Sequence, residues 1–109
     1  MAVSRAELDA ARDLFAPLGD VGHRHMMGGA MLYADGRLFG AIMGEAGLHI
    51  RGKGALAGRL AAEGATQFVW TDPGSGKAKP MGYWSLPDSA LDDPEAACEW
   101  ARAALEAGG

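Results

Sequence analysis

The sequence has one cysteine, few aromatic residues and no long apolar run. Cys98 alone cannot form an intramolecular disulfide, so nothing indicates a disulfide-stabilised secreted domain. The longest apolar run, LFGAIMG, is far shorter than the roughly 20 residues that span a bilayer. The charged start MAVSRAELDAARDLF lacks the apolar stretch of a signal peptide. We therefore expect a cytoplasmic protein with no membrane segment.

The sequence also lacks a concentrated block of positive charge. The formal net charge is −4, yet residues 21–81 hold seven Lys/Arg against four Asp/Glu. Proteins that bind duplexes usually present a dense basic face, because neutralising phosphates supplies most of their affinity. Direct nucleic-acid binding is therefore not favoured. It stays an alternative, with a basic patch made of Arg24, Arg51, Lys53, Arg59, Lys77 and Lys79.

The pattern of elements predicts an α+β domain occupying residues 1–109. Ser4 and Glu7 form a capping box before a helix over residues 5–15, and further helices are expected at 52–64 and 94–107. Asp35-Gly36 predicts a tight hairpin, LHIR a third strand, and TQFVWT with MGYWSL a second hairpin. We expect a five-strand, mainly antiparallel sheet with three helices, in the order α-β-β-β-α-β-β-α.

The stretch HRHMMGG raises the question of a metal site. His23, His25 and His49 could offer nitrogen ligands, and Met26, Met27 and Met31 could offer sulfur. No carboxylate or thiol stands at a recognisable interval to complete such a site. We favour histidines at a strand edge, methionines that fill the core, and Arg24 with the glycines shaping the entry to a strand.

Other chemical motifs are weak. GSGK lacks the first glycine and the final Ser or Thr of a phosphate loop, so it reads as a hairpin tip. Cys98 has no histidine near it in sequence and suits a small buried hydrophobe. We therefore expect no catalytic residue, no bound metal and no cofactor, and a protein that is not an enzyme.

Aromatic residues near the end of the chain could mark a binding face. Strand alternation puts Tyr83 with Met81 on one face and Trp84 with Leu86 on the other. One of these two aromatic residues would be exposed if helices cover only one face of the sheet. A packed core or a dimer surface is a better explanation of Trp70, Tyr83 and Trp84 than base stacking.

Three stretches, VGHRHMMGGAMLYADGRLFGAI, LHIR and MGYWSLPDSALDDPEAACEWARAALEA, resemble the TfoX N-terminal domain family. The matching residues stand in the order of the family pattern. They are Arg24, Met26, Gly28, Gly29, Leu32, Tyr33, Gly36, Phe39, Met81, Tyr83, Trp84, Pro87, Trp100 and Ala101. The chain departs from the pattern at Met27, at His49-Ile50 and at residues 52–54.

The resemblance implies a regulatory domain of the kind found in TfoX/Sxy, bacterial regulators of competence that act with the cyclic-AMP receptor protein. Those regulators carry a second, C-terminal helical domain, and we expect this chain of 109 residues to be a stand-alone version that lacks it. We expect a non-enzymatic protein-interaction domain in transcription regulation, forming a homodimer and binding a protein partner. The alternatives are a weak nucleic-acid binder and a small-molecule or metal sensor. The expected interaction surface comprises Arg24, Tyr33, His49, Arg51, Tyr83 and Trp84.

Overall fold

The computed structural model describes residues 3–26 and 28–108. The helices are α1 (Arg5–Leu14), α2 (Ala55–Ala62) and α3 (Pro94–Gly108). The strands are β1 (Val21–Met26), β2 (Gly29–Ala34), β3 (Arg37–Ile42), β4 (Leu48–Arg51), β5 (Gln67–Thr71) and β6 (Ala78–Ser85). Short 3₁₀ turns lie at Ala16–Leu18, Gly44–Ala46 and Asp88–Ala90. The α+β class with three helices is as predicted.

The strands form one antiparallel sheet of six strands in the order β1-β2-β3-β4-β6-β5. The predicted number of five strands was wrong because β1 is an additional strand paired along its whole length with β2. Its sequence VGHRHM has a glycine and three basic or imidazole side chains, and most of its residues are exposed. An edge strand of this kind lacks the apolar alternation by which strands are recognised. Met27, part of the metal hypothesis, lies outside the described residues.

The first hairpin turn is the one the sequence predicts. Asp35 and Gly36 both have positive φ angles, 51° and 75°, and join β2 to β3 with a two-residue loop. A type I′ turn requires this conformation at both positions, which Asp and Gly tolerate better than other residues.

Gly29 has a different role, because a Cβ there would stand 2.4 Å from the carbonyl oxygen of Ile42. The glycine therefore permits a close approach of two chain segments.

Local signals set the ends of the helices. Ser4 and Glu7 make the predicted capping box, with the Glu7 N–H donating to Ser4 Oγ at 3.1 Å. At α3, Asp93 Oδ1 accepts hydrogen bonds from the backbone N–H groups of Glu95 and Ala96 in the first turn, as the predicted cap requires. Helix α2 is shorter than predicted because Gly54, with φ of 57°, stands outside it.

All three helices pack on the same face of the sheet. Helix α3 lies against β3 and β4, and α1 and α2 pack beside it. The largest fully buried side chains are Phe15, Leu32, Phe39, Ile42, Ile50, Leu60 and Cys98. Each of the Phe, Leu and Ile side chains among them contributes roughly 1.5–3 kcal/mol of hydrophobic free energy. The core therefore occupies the space between this face and the helices, and none of the helices in the described residues covers the second face of the sheet.

The longest helix, α3, has 15 residues. No helix in residues 3–26 and 28–108 is long and apolar enough to cross a membrane.

Candidate functional site

The face of the sheet opposite the helices, called here the open face, is defined by the strand register. Residues directly opposite one another in paired strands point to the same side. One row across the sheet therefore runs through Arg24, Met31, Ala41, His49 and Ser85. Ala41 and His49 are buried yet stand outside the main core cluster, because they lie on this second face.

A groove of about 500 Å³ crosses the open face. Its walls are mostly methionine and aromatic side chains, with glycines at one end. The lining residues are Met26, Gly28, Gly29, Met31, Met43, Gly44, Phe68, Trp70, Lys79, Met81 and Tyr83. Met26 is the most accessible of the large apolar side chains here, with 44% of its surface exposed. Met26 and Met31, which the sequence analysis placed in the core, therefore lie on the open face instead.

Several contacts hold the groove walls in place. The Tyr83 hydroxyl donates to Met31 Sδ at 3.5 Å and so joins β6 to β2 across the face. Gln67 Nε2 donates to the carbonyl oxygen of Met81 at 3.0 Å and fixes β5 against β6. Phe68 packs edge-to-face on His49, with 5.7 Å between ring centroids. The groove is therefore assembled from strands that are distant in sequence.

His49 is a structural residue of this face. Only 4% of its surface is exposed, and its Nδ1 lies 2.9 Å from the carbonyl oxygen of Gly47. A carbonyl oxygen only accepts, so Nδ1 carries the proton in this contact. Burial lowers the pKa of His49, and the hydrogen bond to Gly47 offsets part of that change. The imidazole is therefore neutral at pH 7 and serves as a packing surface for Phe68.

Positive charge borders the groove. Lys79 lines it directly, Arg24 stands opposite Met31, and Arg51 stands opposite Tyr83. The described lining residues include no Asp or Glu. The helical side of the molecule is acidic in contrast, with exposed carboxylates on α1, on α3 and on the turn before α3. The two faces of the sheet therefore differ in both charge and apolar character.

Five of the six residues in the predicted interaction surface lie on the open face. They are Arg24, Tyr33, His49, Arg51 and Tyr83, as the strand register shows. The sixth, Trp84, stands on the opposite face, packed against the core with its neighbour Leu86. Its buried Nε1 has no hydrogen-bond partner among the described residues. The predicted separation of Tyr83 from Trp84 onto two faces is confirmed.

The structure does not bring together the three histidines of the metal hypothesis. His23 and His25 contact each other on the helix side of β1, with 5.1 Å between their ring centroids, whereas His49 lies on the open face. Arg12 Nη2 lies 2.9 Å from His23 Nδ1. Burial, Arg12 and His25 together lower the pKa of His23. Within the described part of the chain, no group of three His, Cys, Asp or Glu residues could hold a metal ion.

The six basic residues of the nucleic-acid alternative do not gather on one face. Arg59 is on α2, where its guanidinium lies 5.2 Å from the ring centre of Trp100 on the helical side. Lys77 lies in the turn between β5 and β6, whose Asp72 carboxylate accepts from Gly74 and Ser75. GSGK is therefore a hairpin tip, as predicted, and Arg24, Arg51 and Lys79 are the members that border the groove.

Cys98 is the small buried residue that its sequence context predicts. It is fully buried, and its thiol donates weakly to the carbonyl oxygen of Leu14 at 3.8 Å. Burial raises the pKa of the thiol, which disfavours the reactive thiolate.

Sequence reasoning missed most of the groove. Met43, Phe68 and Met81 were not assigned to a surface, and Met26 and Met31 were placed elsewhere. A signal was nevertheless present, because Phe68 and Trp70 alternate with residues of the other face on one strand, as Met81 and Tyr83 do on the next.

Comparison with known proteins identifies one relationship. No curated protein sequence matches the chain. The family model described as the TfoX N-terminal domain matches residues 13–108, which is nearly the whole chain and includes every strand of the open face. The chain therefore belongs to the TfoX N-terminal domain family.

Proposed function

We propose that this protein is a non-enzymatic regulatory domain that binds another protein on the open face, and that the bound element is an acidic amphipathic segment. The observation that carries the proposal is the groove of methionine and aromatic side chains on the face without helices. Exposed contiguous apolar surface of this kind is typical of interaction sites. Family membership supports a regulatory role.

The apolar lining suits protein side chains. Methionine is flexible and polarisable, so a surface rich in methionine adapts to apolar partners of different shape. Four methionines and three aromatic residues line the groove, and Met26 is exposed by 44%. Leucine or phenylalanine side chains at helical spacing on one face of a partner segment could enter such a groove as anchors.

The charge around the groove sets the character of the partner. Lys79 lines the groove, and Arg24 and Arg51 lie on the same face beside its walls. Carboxylates on the partner would meet these cations, which favours association and orients the bound segment. A segment with apolar anchors on one side and Asp or Glu beside them fits both properties.

A second copy fits this groove poorly. An isologous dimer formed through the open face would bring identical patches together and place Arg24, Arg51 and Lys79 near the same cations of the other copy. Like charges brought together at an interface are unfavourable. Three cations also provide few phosphate contacts, so single-stranded nucleic acid is a weaker candidate despite the aromatic rings.

We extend the proposal to transcription regulation in the cytoplasm. The support is the resemblance to TfoX/Sxy competence regulators and the membership in the TfoX N-terminal domain family. A shared domain does not fix a process, so the partner's chemistry carries the main proposal and competence regulation remains an analogy.

Fluorescence anisotropy tests the proposal with defined probes. The first is a labelled peptide of about four helical turns that carries Leu and Phe on one face and Glu on the other. A peptide with Lys in place of Glu and a labelled DNA single strand of about a dozen nucleotides are the comparisons. We expect the acidic peptide alone to bind at physiological salt. Stronger binding of the DNA would favour the nucleic-acid alternative and contradict the proposal.

Matched variants locate the site. Arg24→Glu should weaken binding of the acidic peptide about tenfold, whereas Arg102→Glu, the same change on an exposed arginine of α3, should have little effect. Met26→Asp should also weaken binding, and Leu91→Asp, at a site with similar exposure, should not. Equal effects within either pair would show that the peptide binds elsewhere.

A further inference from the structure

Strand β5 forms one edge of the sheet but has the composition of an inner strand. Its sequence QFVWT contains no charged residue and no proline, and three of its five residues are aromatic or β-branched apolar. Natural proteins usually protect edge strands with charges, proline, bulges or a covering element, because the free backbone groups pair readily with other chains. Of these devices, β5 shows a register shift against β6 between Gln67 and Val69.

Little else covers this edge. The extensive contacts of β5 among the described residues are with β6, whereas α2, which leads into β5, packs on β6 and α3. Val69 lies on the face opposite Phe68 and Trp70, and 48% of its surface is exposed. A valine in the middle of an edge strand is thus left half in solvent on the side where the helices cover other strands.

The other edge of the sheet is better protected. Strand β1 carries Arg24 and two histidines, and side-chain charge at an edge opposes pairing with another copy. In addition, Arg12 Nε donates to the Val21 carbonyl oxygen at 3.3 Å, so α1 already occupies a backbone acceptor at this edge. The two edges therefore differ, and β5 is the one open to a further strand.

We propose that β5 pairs antiparallel with β5 of a second copy of this chain, about a twofold axis through Val69. In this register Val69 faces Val69 of the partner subunit, and Phe68 faces Trp70 of the partner subunit. Gln67 then faces Thr71 of the partner subunit at each end. The residues on the two sides of Val69 are alike, with an aromatic residue next to it and a polar uncharged residue beyond. The pairing therefore brings aromatic residues together and places no charged residues opposite each other.

The proposed pairing is energetically favourable for two reasons. It supplies partners for the outward backbone N–H and C=O groups of β5, and it forms cross-strand aromatic and β-branched pairs. A single pair of five-residue strands buries less surface than a standard interface, so the dimer should depend on protein concentration. The two sheets become one sheet of twelve strands. Phe68 and Trp70 lie on the open face, so the two grooves become neighbours across the axis.

This inference goes beyond the proposed function and does not depend on the occupant of the groove. Sedimentation velocity over about a hundredfold range of protein concentration should show a monomer–dimer equilibrium for the wild-type protein. Val69→Lys should raise the dissociation constant at least about tenfold, because a lysine at the edge opposes strand pairing. Leu91→Lys introduces the same charge at a site that is also 48% exposed and should leave the equilibrium unchanged.

A cross-linking experiment tests the register. Directly opposite residues in an antiparallel pair have Cα atoms about 4.5–5.5 Å apart, which a disulfide can span. Val69→Cys should form an interchain disulfide with oxidised glutathione, two thiols giving one disulfide and two reduced glutathione molecules. Leu91→Cys should not, and the native Cys98 is fully buried.

Three results would overturn the proposal. They are a wild-type monomer at every concentration, a dimer that persists unchanged in Val69→Lys, and equal cross-linking of the two cysteine variants. Circular dichroism of each variant confirms that the fold is intact. If Val69→Lys no longer dimerises but binds the acidic peptide as tightly as the wild type does, dimerisation and binding in the groove are independent of each other.

Discussion

Gly29 allows β2 and β3 to approach each other, and replacing it with alanine tests how tightly the sheet is packed there. An alanine Cβ would stand 2.4 Å from the carbonyl oxygen of Ile42. That oxygen belongs to the backbone, so it cannot move aside as a flexible side chain would. The substitution Gly29→Ala must therefore displace one chain segment relative to the other, or distort the turn before β2.

The expected loss follows from two opposing terms. Overpacking of this kind typically destabilises a protein by about 1–3 kcal/mol. Alanine loses less backbone entropy than glycine on folding, which returns roughly 0.5–1 kcal/mol. Taken from the middle of each range, the net loss for Gly29→Ala is about 1.3 kcal/mol in the free energy of unfolding. For a chain of 109 residues, this lowers Tm by about 5–6 °C.

Urea unfolding followed by tryptophan fluorescence and circular dichroism measures the change. Gly22→Ala is the matched control, because Gly22 is also a strand glycine but a Cβ there would meet nothing within 4 Å. We expect that control to be neutral or more stable by up to about 0.5–1 kcal/mol. The two identical substitutions should therefore have effects of opposite sign or clearly different size.

The reasoning is refuted if Gly29→Ala unfolds at the same urea concentration as the wild type with an unchanged m value. The close approach to Ile42 would then be easily relaxed. A loss of stability in Gly22→Ala as large as in Gly29→Ala would equally contradict it, since the effect would come from strand glycines in general.

Three further predictions concern the helix start, the first turn and the buried histidine. Ser4→Ala removes the cap that accepts the Glu7 amide and should cost about 1 kcal/mol in urea unfolding, while Ser4→Asp should retain most of the stability. Gly36→Ala places a side chain at a φ of 75° and should cost about 1–2 kcal/mol by the same assay, with little change in the circular dichroism spectrum. Burial lowers the pKa of His49 in the folded state, so the unfolded chain binds more protons and stability should fall as pH drops below about 6.5. His49→Gln keeps an amide donor in reach of Gly47 and should flatten the dependence of the free energy of unfolding on pH. If that dependence is unchanged in the variant, a different titrating group causes it.

Features set by neighbouring residues were predictable from the sequence. The Ser4–Glu7 capping box, the Asp35-Gly36 turn and the alternation of Tyr83 with Trp84 depend on local geometry, and the structure has all three. Each is decided by backbone preferences within a few positions, which a sequence displays directly.

Features set by distant strands were not predictable. Strand β1 was missed because its residues are mostly polar and it is stabilised by pairing with β2 rather than by an apolar face. The groove was missed because Met31 and Tyr83 are 52 positions apart and meet only through the pairing of β4 with β6. The alternation of side chains along β6 likewise placed Tyr83 and Trp84 on opposite faces of the sheet, but it did not show which of these faces the helices cover.

Within the sheet, the pairing of β4 with β6 joins two otherwise local substructures. Strands β1 to β4 follow one another as hairpins, and β5 with β6 forms a second hairpin beyond α2. The junction has three residue pairs, His49 with Ser85, Ile50 with Trp84 and Arg51 with Tyr83. The groove takes walls from both sides of this junction, so it exists only while the junction is closed.

Occupancy of the groove is consequently linked to the opening of the junction. A partner that binds only the closed form must lower the population of the open form, by an amount set by its concentration relative to its dissociation constant. Amide hydrogen exchange would then slow first at His49–Arg51 and Tyr83–Ser85, while the amides of the β2–β3 hairpin would change less. Because the pairing of β4 with β6 is short, amide hydrogen exchange at these residues directly reports whether a partner occupies the groove.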